Sequence, residues 1–173
     1  MVGLFWIAEG DVYVGAKPSG LAPGVRLTSE GVLGLGDRQS ALYPWEDVTS
    51  LTVTDVPVKS LMRQAAVVKD LALGTVKQLA MPVGTGMVEA APPTMTVRVA
   101  SSGREHDLDA YVAAAVGYPQ TEVDLSRTLL SRLTEGAATM ETTLAAMSDW
   151  GRSWQGGAPR AAERERLLQT WVG

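Results

Sequence analysis

The stretch Leu42-Tyr43-Pro44-Trp45-Glu46-Asp47-Val48, running on into Thr49-Ser50-Leu51-Thr52-Val53, constrains this chain more than any other. Proline presets φ for a turn, and tryptophan brings a large apolar body with one N–H that needs a partner. The alternating β-branched run behind them reads as half-buried sheet. The text upstream agrees, because Asp11 to Val53 consists of short alternating runs punctuated by glycine. Val12 and Val14 flank Tyr13, Val25 and Leu27 flank Arg26, and Ser29-Glu30-Gly31 is a turn signal before Val32-Leu33-Gly34-Leu35. Asp37-Arg38-Gln39-Ser40 is the next polar turn, and three or four short antiparallel strands at this spacing predict a sandwich or small barrel.

The periodicity changes after Val58. Lys59 to Met81 carries helical spacing, with Leu61, Ala65, Val68, Ala72, Val76 and Leu79 on one face and Lys59, Arg63, Asp70 and Lys77 on the other. Gly74 weakens that helix by about 1 kcal/mol against alanine and is a place for it to divide. Pro82 to Pro93, rich in glycine and proline, reads as a loop. A hairpin follows: Thr94 to Val99, a turn at Ser101-Ser102-Gly103, and a return from Arg104 to Tyr111, with Met95, Val97 and Val99 on one face opposite Thr96 and Arg98.

After Tyr118-Pro119-Gln120 the signals are helical. Thr121 is the expected N-cap with Asp124 three residues on, Leu125, Leu129 and Leu133 form a stripe, and Gly136 stands where a C′ glycine would. Ala137 to Trp154 is a second helix with Met140, Leu144, Met147, Trp150 and Trp154 near helical spacing. Gln155-Gly156-Gly157 is a hinge, and Pro159 at the expected first helical position opens a short helix to Val172.

Composition narrows the function classes. A chain of 173 residues accommodates one domain plus an appendage, and 46% hydrophobic with 20% charged residues is ordinary for a soluble globular protein. The net charge of -4 argues against a nucleic-acid partner. With no cysteine there is neither a disulfide nor a thiolate site. Met1 to Ala8 lacks a basic region and meets Glu9 and Asp11 at once, so the expectation is no signal peptide and a cytoplasmic address.

Gly24-Val25-Arg26-Leu27-Thr28-Ser29-Glu30-Gly31-Val32-Leu33 followed by Tyr43-Pro44-Trp45-Glu46-Asp47-Val48-Thr49-Ser50-Leu51 resembles the opening of bacterial pleckstrin-homology-like (PH-like, GRAM-type) domains. The resemblance implies an α+β protein: a PH-like antiparallel β-sandwich or barrel capped by a C-terminal helix. Thr121 to Glu135 would be that helix. On this reading residues 1–136 are the PH-like domain with an inserted helical and loop segment at 59–93, and residues 137–173 are a helical C-terminal extension. Phosphoinositide-binding members carry a dense Lys/Arg cluster in the first hairpin loop, whereas Lys17 to Gly24 offers one lysine.

No catalytic motif is visible. The only histidine, His106, lies in Arg104-Glu105-His106-Asp107-Leu108-Asp109, where strand neighbours face opposite sides. Gly31, Gly34 and Gly36 do not form a dinucleotide fingerprint, and Gly84-Thr85-Gly86 lacks the Lys-Ser/Thr of a phosphate loop. No metal, cofactor or small-molecule substrate is expected, and an enzyme would have to use some other motif.

The expected function is therefore a non-enzymatic binding or adaptor module acting through protein contacts or self-association. Trp150, Trp154 and Trp171 are its candidate hot spots, since tryptophan buries much area with few rotatable bonds. A helical Met/Trp stripe is ordinarily core, which predicts a tail folded back on the domain, while the glycine hinge leaves room for an exchanged or partner-bound tail. The alternative is peripheral membrane binding through the basic face Lys59, Arg63, Lys69 and Lys77. Against it stands the plainer reading of a helix packed on its own domain.

Overall fold

The computed structural model describes residues 1–59 and 92–173. Among the described residues the chain is α+β, with a five-stranded and a three-stranded antiparallel sheet followed by three helices. Strands β1 (Phe5–Ala8), β2 (Asp11–Val14), β3 (Gly24–Leu27), β4 (Gly31–Leu35) and β5 (Ala41–Pro44) meander in chain order through the first sheet. Strands β6 (Val48–Thr54), β7 (Thr94–Ser101) and β8 (Arg104–Tyr111) make the second. Asp11 to Val53 thus holds parts of five strands, more than its punctuation suggests, and Phe5–Ala8 adds a sixth that the apolar start concealed.

The Pro-Trp-Glu-Asp corner carries the chain from one sheet to the other. Pro44 ends β5, the Asp47 N–H donates to the Pro44 carbonyl at 2.9 Å, and β6 begins at Val48. The Trp45 indole N–H finds its partner in the Thr28 carbonyl at 2.7 Å, pinning the corner to the β3–β4 turn. Glu46 and Asp47 are exposed at the bend. The β7–β8 hairpin pairs in full register, with Met95, Val97 and Val99 buried as their alternation requires. Its turn residues Ser102 and Gly103 both take positive φ, 50° and 75°, the left-handed pair that matches strand twist.

One apolar cluster joins both sheets and the helices. Val12, Val14, Val25, Leu27 and Val32 meet Leu51, Val53, Met95, Val97, Val99 and Leu108. At the seam the Gln39 side-chain amide donates to the Asp109 carbonyl at 2.8 Å and accepts from the Asp109 N–H at 2.8 Å, imitating a strand on the side of β8 where none of the described strands pairs.

Helix α1 (Gln120–Arg132) packs on β6, α2 (Ala137–Ser153) on β1 and β2, and α3 (Ala161–Val172) on α1. Three helix ends differ from expectation. Pro119, with φ −61° and ψ 141°, takes the N-cap position, so Thr121 lies inside α1 and makes no cap bond. Proline's fixed φ suits the entry, and the Val123 N–H closes the first turn on the Pro119 carbonyl at 3.1 Å. Gly136 is not the C′ residue of α1 but the N-cap of α2; α1 instead closes through tight bonds from Thr134 N–H to Ser131 and Glu135 N–H to Arg132. Arg160 caps α3, which leaves Pro159 buried just outside the helix. Of the segment 59–93 expected as an insertion, only Lys59, Pro92 and Pro93 are among the described residues, so the helix expected at 59–81 lies outside them beyond Lys59.

Candidate docking groove

Helix α3 is tied to α1 by a buried ion pair. Arg164 on α3 makes a two-pronged contact with the Glu122 carboxylate of α1, at 2.7 Å for Nη2 to Oε1 and 3.0 Å for Nε to Oε2, and Glu122 is 3% exposed. The remaining Nη1 donates to the Pro159 carbonyl at 2.8 Å, which fixes the loop between α2 and α3. Strand β1 is anchored on the same helix, because the Leu4 N–H donates to Ser126 Oγ at 3.1 Å. A groove of about 980 Å³ lies between these parts, walled by Trp6, Ile7 and Glu9 on one side and Trp150, Trp154 and Pro159 on the other.

Each aromatic wall has a local cause. Phe5 and Ile7 point into the core, so Trp6 between them must face outward, and it is 36% exposed. Trp150 and Trp154 stack one helical turn apart, with ring centroids 5.4 Å apart and planes at 25°. Trp171 stands edge-on to Trp150 at 5.9 Å and is 8% exposed, so it backs the groove and does not line it. The Trp154 indole N–H donates to the Gly157 carbonyl at 2.8 Å, folding the loop around the ring. A Cβ on Gly156 would stand 2.9 Å from Trp154 Cζ2, and one on Gly151 would stand 2.4 Å from Ile7 Cγ2. Both glycines therefore permit approaches that a side chain would block.

Charge at the groove is sparse. Arg152 is paired with Asp149 at 2.6 Å, whereas Glu9 has no ion-pair partner among the described residues. Burial, and after it the Arg164 guanidinium, lowers the pKa of the Met1 amine beside the groove.

Of the residues singled out from sequence, the structure brings together Trp150, Trp154 and Trp171. Lys59 is exposed, with its N–H bonded to the Tyr118 carbonyl at 3.0 Å; Arg63, Lys69 and Lys77 lie outside the described residues. Trp6 and Glu9 were not anticipated. Reading Phe5-Trp6-Ile7 as a strand would have found Trp6 by alternation alone.

Among the described residues the other chemistry-bearing side chains form no convergent site. His106 packs its ring 4.7 Å from Tyr43. Asp107 engages Arg98 at 2.7 and 3.1 Å, and that hydrogen bonding holds its carboxyl below the usual range. Among the described residues no group of three His, Cys, Asp or Glu side chains could hold a metal ion, and no helix is long and apolar enough to cross a membrane. Compared with protein-family models, curated proteins and solved structures, the chain matches none.

Proposed function

We propose that this chain is a non-enzymatic cytoplasmic binding module of PH-like type that works through protein contacts, with the groove at Trp6, Trp150 and Trp154 as its docking surface. The observation that carries this is the aromatic wall of the groove, with Trp6 exposed on β1 and Trp150 and Trp154 half-buried at the end of α2, held in place by the Glu122–Arg164 anchor. Clustered tryptophans in a concave surface are the usual makeup of an interface hot spot. The PH-like assignment draws support from the sequence resemblance and from a five- plus three-stranded pair of sheets followed by α1.

The test is selection from a random peptide library on the intact chain, repeated on Trp6→Ala and Trp154→Ala. Peptides retained by the wild type and lost on both variants would support the reading. No enrichment, or enrichment indifferent to both substitutions, would sink it.

A second reading, peripheral membrane contact, has one observation in its favour. Leu21 and Val116 are 76% and 70% exposed, on the β2–β3 loop and the loop after β8. The Ala16 N–H bond to the Tyr111 carbonyl at 2.7 Å brings the roots of those loops together. Residues 15–23 and 112–118 contain Lys17 and no acidic side chain, and Lys59 adjoins Tyr118. Co-sedimentation with anionic vesicles at low salt decides it, with Leu21→Ser as the control.

A further inference from the structure

We propose that the groove receives the guanidinium of an arginine side chain presented by a partner peptide, stacked against the indoles of Trp6, Trp150 and Trp154 and facing the Glu9 carboxylate. This rests on the docking reading above and names the chemistry of its partner.

The first support is charge complementarity. Indole faces attract cations, and three of the chain's five tryptophans line this one groove. Arg152, which also lines the groove, is paired with Asp149, and Glu9 makes no ion pair among the described residues. The groove therefore presents aromatic surface beside a carboxylate that makes no ion pair among the described residues.

The second support is backbone conformation. Glu9 takes φ 57° and Gly10 φ 91° in the two-residue β1–β2 turn. Glycine, asparagine or aspartate fits the first of those positions with least strain, and glutamate has a full side chain to accommodate there. A glutamate kept in a left-handed conformation at the groove wall points to a use for its carboxylate. Arginine suits that use better than lysine, because a planar guanidinium stacks on indole while still offering a fork of donors to a carboxylate. A volume of about 980 Å³ leaves space for peptide backbone beside the side chain.

The experiment follows the indole N–H signals of the full chain by NMR during titration with a capped alanine-based peptide carrying a central arginine. An isosteric twin carries neutral citrulline. The expected result is movement of the Trp6, Trp150 and Trp154 signals, with Trp45, bonded to the Thr28 carbonyl, as a stationary control. The citrulline twin should bind about three- to tenfold more weakly, and Glu9→Gln should weaken the arginine peptide to a similar extent. Trp6→Ala should abolish the response while leaving the Trp45 signal in place as proof of folding. Equal affinity for the two peptides, an unaltered response in Glu9→Gln, or no movement of the groove indoles would overturn the inference. Equal affinities that are both lost in Trp6→Ala would overturn it while leaving the groove as a docking surface. Choline shifting the same signals more than the arginine peptide would overturn it in favour of a lipid headgroup.

Discussion

Tyr118 is fully buried in a loop, and its hydroxyl accepts the Ala113 N–H at 2.9 Å while its backbone bonds Pro57 and Lys59. Burial raises its phenol above the ordinary value, with the Ala113 and Ala114 N–H groups pulling weakly the other way. A raised folded-state pKa gives stability that is complete below the unfolded value, about 10, and is lost as pH rises through the folded one. Tyr118→Phe should therefore flatten the loss of stability above about pH 10, read from urea midpoints across the alkaline range. Below that range it should cost about 1–3 kcal/mol for the N–H left without its acceptor. Gly151 provides a second case. Alanine would favour the helix by about 1 kcal/mol, but its Cβ would stand 2.4 Å from Ile7 Cγ2. Gly151→Ala should thus destabilise by a net of about 1–2 kcal/mol in urea unfolding; a gain in stability would mean that β1 can retreat. At this scale sequence reading served well where a residue announces a need. The indole N–H of Trp45 required a partner and has one, whereas nothing in Asp37-Arg38-Gln39-Ser40 marks Gln39 as the group that completes β8.

Elements were legible where their periodicity was long or their turn chemistry explicit. The β7–β8 hairpin alternates over eight residues and has Ser-Gly at its turn, so its register follows from the text. Helix α2 likewise buries Met140, Leu144 and Met147 along its expected stripe. Strand β1 was hidden because Leu4 to Ala8 is apolar throughout, and alternation shows only when one face is polar. What holds α3 against α1 was hidden too, since Glu122 and Arg164 are 42 residues apart and each looks like a surface charge. Their pairing sets a clear expectation. Arg164→Ala should destabilise by about 3–5 kcal/mol because it leaves a buried carboxylate without compensation. Replacing both residues with leucine should recover much of that loss, because the desolvation of the charges disappears with them. Chemical denaturation of the single and double variants checks this, and a double variant no better than Arg164→Ala would mean that the pair does more than neutralise itself.

The helices of the extension share one core with the sheets, since Met147, Leu168 and Trp171 belong to the same cluster as Val12 and Val97. The full chain should therefore unfold in a single transition, with far-ultraviolet circular dichroism and tryptophan fluorescence giving coincident curves. An early fluorescence change reporting the Trp150–Trp154–Trp171 cluster ahead of the sheets would show that the extension is a separate unit. The amino-acid sequence by itself determined the α+β class, the turn at Trp45 that leads into a strand, and the helical character of the last fifty or so residues, about four turns per helix being enough for a periodic stripe to be read. These are local matters, set by φ preferences, side-chain alternation and turn chemistry within a few residues. Only the tertiary structure decided that Trp6 and Trp154 would line one groove, that Glu9 would stand beside them, and that Arg164 would reach Glu122. Those positions depend on how closely β1 can approach α2 over Gly151 and on which charges are desolvated together, and neither is written in any short stretch of the chain.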